Sequence, residues 1–285
     1  MSVVTRPRSR ATDERPVQIA IRGFKIGPED TFVDVGCGDG ASCRYAGSKG
    51  AAVVGIDLEP SLVEQADRAM RGVPARSWRG MVSDCDPIPL PDGSATVVLC
   101  TEVLEHVEDP ARFAAELVRI GKPGARYLLS VPDPASEALI RHVAPDWYWR
   151  PPFHRRIFQH REFDALLREV GLIVERRDLG GSYQTIRWLL WWTLGREPYD
   201  TAEDSPLLRA WDRAWEVIQD SPRRQTLLFA LEQALPKSQA VLASKPGGSR
   251  LARIRRTLTG PSAWKRRLRS GRFRCARPSL VDLVS

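Results

Sequence analysis

One stretch limits the architecture of this chain more than any other: an apolar strand that runs straight into a cluster of glycines. Thr31-Phe32-Val33-Asp34-Val35 is followed without a break by Gly36-Cys37-Gly38-Asp39-Gly40. Glycine permits the sharp turn after such a strand and lets another molecule approach the backbone where a Cβ would collide. A helix across residues 41–49 is expected next, and its N-terminus offers unpaired N–H groups to a carboxylate or phosphate. The alternation then repeats. Strands are expected at residues 51–56 (ending in Asp57), 75–81 (ending near Asp84), 95–100, 125–131, 172–176 and 238–244, with helices at 61–71, 110–120 and 163–170. Ser61, with Glu64 three residues on, reads as a capping box for the second helix, and Lys122-Pro123-Gly124 reads as a turn. The strands are nearly continuous in apolar residues, as in a parallel sheet covered on both faces. The expected fold class is therefore α/β, a doubly wound, mostly parallel, seven-stranded sheet. Ligands of such sheets bind beyond the strands' carboxyl ends, and every polar motif of this chain falls there.

Composition removes several function classes. The chain has 285 residues, 42% hydrophobic and 27% charged. It is long enough to bury a sizeable core, and disorder throughout is excluded. No apolar run approaches the roughly 18 residues needed to span a bilayer. The first fifteen residues are polar and basic, without the apolar stretch of a secretory signal. Five cysteines form no Cys-x-x-Cys pair and do not cluster with the four histidines. That pattern points away from a disulfide framework or a zinc site and toward a reducing cytoplasm. The formal charge of +8 is uneven: residues 249–285 hold eleven of the 43 Arg/Lys and one of the 35 Asp/Glu, so the remainder is close to neutral. A nucleic-acid-binding domain carries its basic face on the folded core, so nucleic acid is not an expected partner.

The glycine loop alone leaves its ligand open. Its spacing is Gly-x-Gly-x-Gly, whereas the dinucleotide fingerprint needs glycine at position 41, which is Ala here, and fingerprints ending in Ala exist. Asp57, 21 residues after Gly36, is placed to accept both hydroxyls of a ribose, as in nicotinamide and adenosyl cofactors alike. The distinguishing motifs lie downstream. They are Asp84-Cys85-Asp86, Ile88-Pro89-Leu90-Pro91-Asp92-Gly93-Ser94, the strand opening into Thr101-Glu102-Val103-Leu104-Glu105-His106-Val107, and Lys122-Pro123-Gly124. In this order and spacing the chain resembles the class I S-adenosylmethionine-dependent methyltransferases. Within them it is similar to the type 11-like group that includes quinone, sugar and natural-product methyltransferases. The resemblance covers about residues 32–182 and the last strand near 235–246.

That resemblance implies a Rossmann-like methyltransferase fold, S-adenosyl-L-methionine as cofactor, S-adenosyl-L-homocysteine as product, and no metal. It implies that Gly36, Cys37, Gly38 and Gly40 line the methionine end of the cofactor, while Asp34 orders the loop and meets the amino group. Asp57 would hold the ribose, with Leu58 beside the adenine. Asp84 would accept from the adenine amino group, with the Cys85 N–H at the ring. Thr101 and Glu102 would lie near the sulfonium. Family members usually carry Phe-Asp where this chain has Ala95-Thr96, a departure at the start of a strand, far from the methyl group.

A hydroxyl acceptor must lose its proton, and histidine is the usual base. Residues 132–160 hold His142, His154 and His160 among Trp147, Tyr148, Trp149 and Phe153. These four aromatics are expected to wall the substrate and His154 to act as base; a histidine that satisfies loop backbone groups is the alternative. His106 reads as structural, and Cys37 as a small filler without a basic partner. Residues 181–230 hold five of the nine tryptophans, with Trp211 and Trp215 on one helix face. This helical insertion before the last strand suits a lid, a membrane-surface contact, a packed subdomain or a homodimer interface. The basic tail suits an anionic membrane surface, RNA, or a solvated end.

The expected organisation is a lead with a lid helix (1–30, helical around 17–24), a cofactor-binding core (31–180) and the Trp-rich insertion (181–230). The last strand of the core (231–247) and a basic, partly disordered tail (248–285) follow. The expected activity is methyl transfer to a hydroxyl of a small molecule, sugar or glycolipid, in the cytoplasm or at the inner face of the membrane. A nicotinamide-dependent oxidoreductase and a non-catalytic scaffold tethered through its tail are the rival readings.

Overall fold

The computed structural model describes residues 24–195 and 205–247. The expectations for the lead, for a lid helix (all but Phe24), for the basic tail and for residues 196–204 of the insertion lie outside the described residues.

The chain begins with β1 (Thr31–Val35), α1 (Ala41–Ser48), β2 (Ala52–Asp57), α2 (Pro60–Ala69) and β3 (Ser77–Val82). Next come β4 (Ala95–Thr101), α3 (Pro110–Ile120), β5 (Gly121–Pro132), α4 (Pro134–Ile140) and a 3₁₀ turn, Asp146–Trp149. Then follow α5 (His160–Glu169), β6 (Ile173–Gly180), α6 (Ser182–Thr193), α7 (Pro206–Asp220), α8 (Arg224–Ala234) and β7 (Ser238–Ser244). The seven strands form one sheet in the order β3-β2-β1-β4-β5-β7-β6. β1 to β5 run parallel, and β7 inserts antiparallel between β5 and β6.

Period-two alternation explains why the central strands read as unbroken apolar runs. Phe32, Val97, Leu99 and Leu128 face the layer formed with α1 and α2, while Val33, Val35, Val98, Cys100, Tyr127 and Leu129 face the layer of α3 and α5. Both faces are covered, so along β1 and β4 only Thr31 and Thr96, at the amino ends, are half-buried and the rest are buried. Each large side chain withdrawn from water in this way contributes about 1.5–3 kcal/mol.

Two local expectations change. α2 starts at Pro60 with Glu59 as its N-cap, not at Ser61. Proline at the first helical position already has the helical φ and needs no N–H, so it sets the start one residue earlier. The capping box instead opens α5, where Gln159 and Glu162 bond each other's backbone N–H groups. β6 also extends beyond residue 176 to Gly180. Beyond the expected end, Arg177 donates to Gln239 and Asp164, and the edge strand stays paired to β7 through Gly180.

Strand order places a crevice. The chain moves outward from β1 to β2 and β3, then returns to β4 on the other side of β1. The carboxyl ends of β1 and β4 therefore diverge, and this is the switch point at which open α/β sheets bind ligands. Among the described residues no helix is long and apolar enough to cross a membrane.

Candidate active site

On the β1 side of the crevice the glycine loop is held from within. The Gly36 and Cys37 N–H groups both donate to the Ile56 carbonyl (2.8 and 2.9 Å), Gly38 N–H donates to Asp57 Oδ2 (2.9 Å), and Gly40 N–H to the Cys37 carbonyl (3.1 Å). The Ala41 N–H at the start of α1 is taken by Asp39. The loop therefore presents a shaped surface more than a row of vacant donors. Two glycines are required for different reasons. Gly40 has φ +81° and a Cβ there would lie 2.7 Å from the Ala66 backbone, so it lets α2 approach. Gly38 has φ +54° and no atom within 4 Å of where its Cβ would sit, so its flank is open to a ligand.

Asp57, at the end of β2, fixes the loop with one oxygen and accepts from Glu59 N–H with the other (3.0 Å). Each oxygen retains a second lone pair for a ligand hydroxyl. Leu58 beside it is an exposed apolar side chain, 68% accessible, as a flat aromatic ligand would need. Asp84 is exposed beyond β3, and its Oδ1 accepts from the Asp86 N–H. The Cys85 N–H, expected at the adenine ring, donates to Ser83 Oγ (3.0 Å). Its thiol, buried and close to Asp84 and Asp57, is pushed up to about 12 and is not a nucleophile. Asp34 is buried at the end of β1 and accepts from the Cys43 thiol, and Cys37 is buried under the loop. These features fit an adenosyl cofactor: an open glycine flank, a carboxylate at the end of β2 with lone pairs to spare and an exposed apolar side chain next to it.

The β4 side is built differently, from buried charge. Thr101 ends β4, and Glu102 turns the chain with a left-handed φ of 56°. Its carboxylate accepts from Ser130 Oγ (2.9 Å) and from Lys237 Nζ (2.7 Å), whose residue just precedes β7. Burial opposes the Lys237 charge, but Glu102, Glu137 and Glu105 together outweigh it and raise its pKa. Val103 touches the glycine loop: a Cβ on Gly36 would meet Val103 Cγ2 at 2.3 Å. The two halves of the crevice thus share a wall.

Two residues further on, Glu105 is 1% exposed, and burial with Glu102 and Glu137 nearby pushes its carboxyl well above the usual range. His106 Nε2 lies 3.5 Å from Glu105. Burial, with His154 beside it, lowers His106 to about 4, so it is neutral at physiological pH. His154 is buried, with Nδ1 against Glu137 Oε2 at 2.9 Å, and its ring meets those of Tyr148 and His106 (centroids 4.4 and 5.1 Å). Tyr148 donates to the other Glu137 oxygen (3.3 Å). Glu137 thereby occupies Nδ1 of His154 and leaves Nε2 as the ring nitrogen open to another partner.

The expected aromatic residues gather around this cluster. Trp147 meets Phe153 (4.8 Å) and Trp192 (5.5 Å), Tyr148 meets Trp192 (5.7 Å), and Trp149 lies against Arg141 and His154. Trp192 belongs to α6, so the insertion is joined to the loop by ring contacts. α7 is fastened to α6 in turn: Tyr183 donates to Asp212, and Trp211 and Trp215 both lie against the Tyr183 ring. His142 and Asp146 stay at the surface, and His160 is held by Asp133 (2.7 Å).

Glu105, Glu137, Ser130 and Lys237 were given no role by sequence reasoning. Glu105 lay inside a quoted motif, and Lys237 in the approach to the last strand. Thr96, at the departure from the family pattern, accepts from Thr31 N–H and donates to Asp30 at the amino ends of the strands.

Known proteins resemble this chain in sequence and in fold. Residues 33–129 match the methyltransferase domain family. The 2-methyl-6-phytyl-1,4-hydroquinone methyltransferase of Synechocystis is 31% identical over 196 residues, which cover 67% of this chain and 55% of that protein. The chloroplastic tocopherol O-methyltransferase of Arabidopsis thaliana is 41% identical over 99 residues, 34% of this chain and 28% of the relative. The chain thus spans between about a quarter and just over half of the length of these relatives. A solved protein from Bacillus halodurans has the same fold, with a TM-score of 0.54 at 20% identity over 80% of this chain and 97% of its own. On the family match, with the strand order and loop geometry beneath it, the domain that residues 33–129 build belongs to the class I S-adenosylmethionine-dependent methyltransferases.

Proposed function

We propose that the protein transfers a methyl group from S-adenosyl-L-methionine to a hydroxyl of a small molecule that carries a ring, either a phenolic ring or a sugar. The observation that carries this reading is the shared wall of the crevice, where Val103 joins the open glycine loop to the buried histidine–carboxylate cluster. The cofactor supplies an already activated methyl group on a sulfonium, so the protein's task is positioning and proton management.

In this reading Asp57 accepts from the ribose hydroxyls, Leu58 covers one face of the adenine, and Asp84 accepts from its amino group. Cys85 lines the ring pocket. Gly36, Cys37, Gly38 and Gly40 border the methionine end, with Asp34 toward the amino group. Thr101 and Glu102 flank the methyl position, and Lys237 and Ser130 hold Glu102 still. Trp147, Tyr148, Trp149 and Phe153 wall the acceptor and exclude water. His154, oriented by Glu137, takes the hydroxyl proton at Nε2 as the acceptor oxygen attacks. The tocopherol relative, an O-methyltransferase by name, supports oxygen as the atom methylated.

The test is transfer of isotope-labelled methyl from S-adenosyl-L-methionine to a panel of hydroquinones and glycosides. Labelled methyl ether is the expected product. A panel left unlabelled, with nicotinamide-dependent turnover instead, would replace this function with that of an oxidoreductase.

A further inference from the structure

We infer that Glu105, His106 and His154 form a binding site for a divalent transition cation at the acceptor end of the crevice. Its purpose rests on the methyl-transfer reading, but its existence does not.

Each of the three residues offers one ligand atom, and these atoms all lie within 4.8 Å of one another. Ligands about 2.1 Å from a common ion stand about 3.0–3.5 Å apart, so the side chains need to close by roughly an ångström. Side-chain torsions of Glu105 and His106 supply that much. The second observation is the state of Glu105. It is 1% exposed, and neither carboxyl oxygen has a hydrogen-bond partner among the described residues. His106 Nε2 lies 3.5 Å from Oε1, and a carboxyl group so withdrawn from water is costly to ionise unless a cation completes it. His106 Nδ1 is likewise buried without a hydrogen bond.

The surroundings distinguish a ligand set from a hydrogen-bonded cluster. His154 Nδ1 is already held by Glu137, which leaves Nε2 as the ring nitrogen available to an ion. Metal-bound histidines are oriented in this way, by a carboxylate on the opposite ring nitrogen. Glu102, the other acid nearby, is engaged by Ser130 and Lys237 and so stands outside the set. Two imidazoles and one carboxylate suit Zn²⁺, Fe²⁺ or Mn²⁺, and three protein ligands leave coordination positions open. An acceptor hydroxyl at such a position would be favoured in its ionised form. In the loaded protein His154 would then serve as ligand, with the ion in place of the imidazole easing loss of the proton.

The experiment is titration of the chelator-treated, full-length protein with Zn²⁺ by calorimetry and with Co²⁺ by visible absorption. One equivalent is expected to bind, with a Co²⁺ spectrum of nitrogen and oxygen ligands. Glu105→Gln and His106→Ala should each weaken binding at least about tenfold, and Glu137→Gln about 10–100-fold. Absence of saturable binding, a thiolate-to-Co²⁺ charge-transfer band, or unchanged affinity in the Glu105 and His106 variants would overturn the site. The Co²⁺ spectrum of the unaltered protein decides the ligand type even if a variant fails to fold. S-adenosyl-L-homocysteine titrated in parallel tests the methyl-transfer reading separately, because Zn²⁺ is added without it.

Discussion

The two walls of the crevice solve the same problem with opposite materials. The wall at β1 and β2 is backbone: glycine N–H groups fold onto Ile56, Cys37 and one carboxylate, and an open flank remains. The wall at β4, β5 and β7 is side chain: Glu102, Glu105, Glu137, Lys237, His106 and His154 are brought together in the interior. A backbone wall is rigid and suits an invariant ligand. A wall of buried charge costs stability, and in return its pKa values and positions can be tuned to a reaction.

That contrast predicts where substitutions act. The largest effect is expected for His154→Ala, which should lower turnover by about 10²–10⁴-fold while S-adenosyl-L-homocysteine affinity stays within about twofold. Near-normal turnover would remove His154 from the chemistry. Gly40→Ala should lower unfolding free energy by about 2–4 kcal/mol in chemical denaturation, since a Cβ there meets the Ala66 backbone at positive φ. Lys237→Met should cost about 2–3 kcal/mol, because Glu102 would keep its buried charge without its partner. Equal stability in that variant would show the β4 wall to be less dependent on charge than described.

A smaller effect separates shape from stability. Gly38→Ala should cost only about 1–2 kcal/mol, from its positive φ, yet weaken cofactor binding at least tenfold by occupying the open flank. The smallest effect lies away from both walls, at the amino ends of the strands, where Asp30 bonds Thr96 and Arg126. Burial alone would raise its pKa, but the Gly27 N–H, Thr96 and Arg126 outweigh burial and hold it below the usual carboxylate value. Because the folded value lies below the unfolded one, this stabilisation is complete above the unfolded pKa and is lost as pH falls through the folded pKa. Asp30→Asn should therefore flatten that part of the acid-unfolding curve by lowering stability at pH 7, where the carboxylate's contribution is fully present, while leaving stability below the folded pKa nearly unchanged.

The backbone wall was legible in the sequence because contiguous residues build it. Thr31 to Gly40 alone predict a strand, a turn and a ligand flank, and Asp57 follows at the end of the next strand. The sequence could not show that the loop's own N–H groups are satisfied internally, since Ile56 and Asp57 reach them only through the β1–β2 register. The charged wall was mostly hidden because its parts come from residues 102–106, 130, 137, 148–154 and 237. Glu137 sits in the first turn of α4, where an acid looks like an ordinary helix-start residue. Lys237 looks like a solvated loop charge until β7 inserts between β5 and β6. His154 was singled out through its aromatic neighbours, not through the carboxylate that holds its Nδ1. Ser61 was misplaced as a cap because the capping rule was applied without weighing the proline before it.

The central claim is that an adenosyl sulfonium cofactor occupies the crevice against the glycine loop and Asp57. Calorimetric titration of the full-length chain with S-adenosyl-L-homocysteine, repeated with NAD⁺ and in Asp57→Ala, tests it most directly. One saturable site for the homocysteine compound is expected, weakened at least about tenfold in the variant through lost hydrogen bonds to a charged group, with no NAD⁺ binding. Binding of NAD⁺ alone, or affinity for the homocysteine compound indifferent to Asp57, would contradict the account.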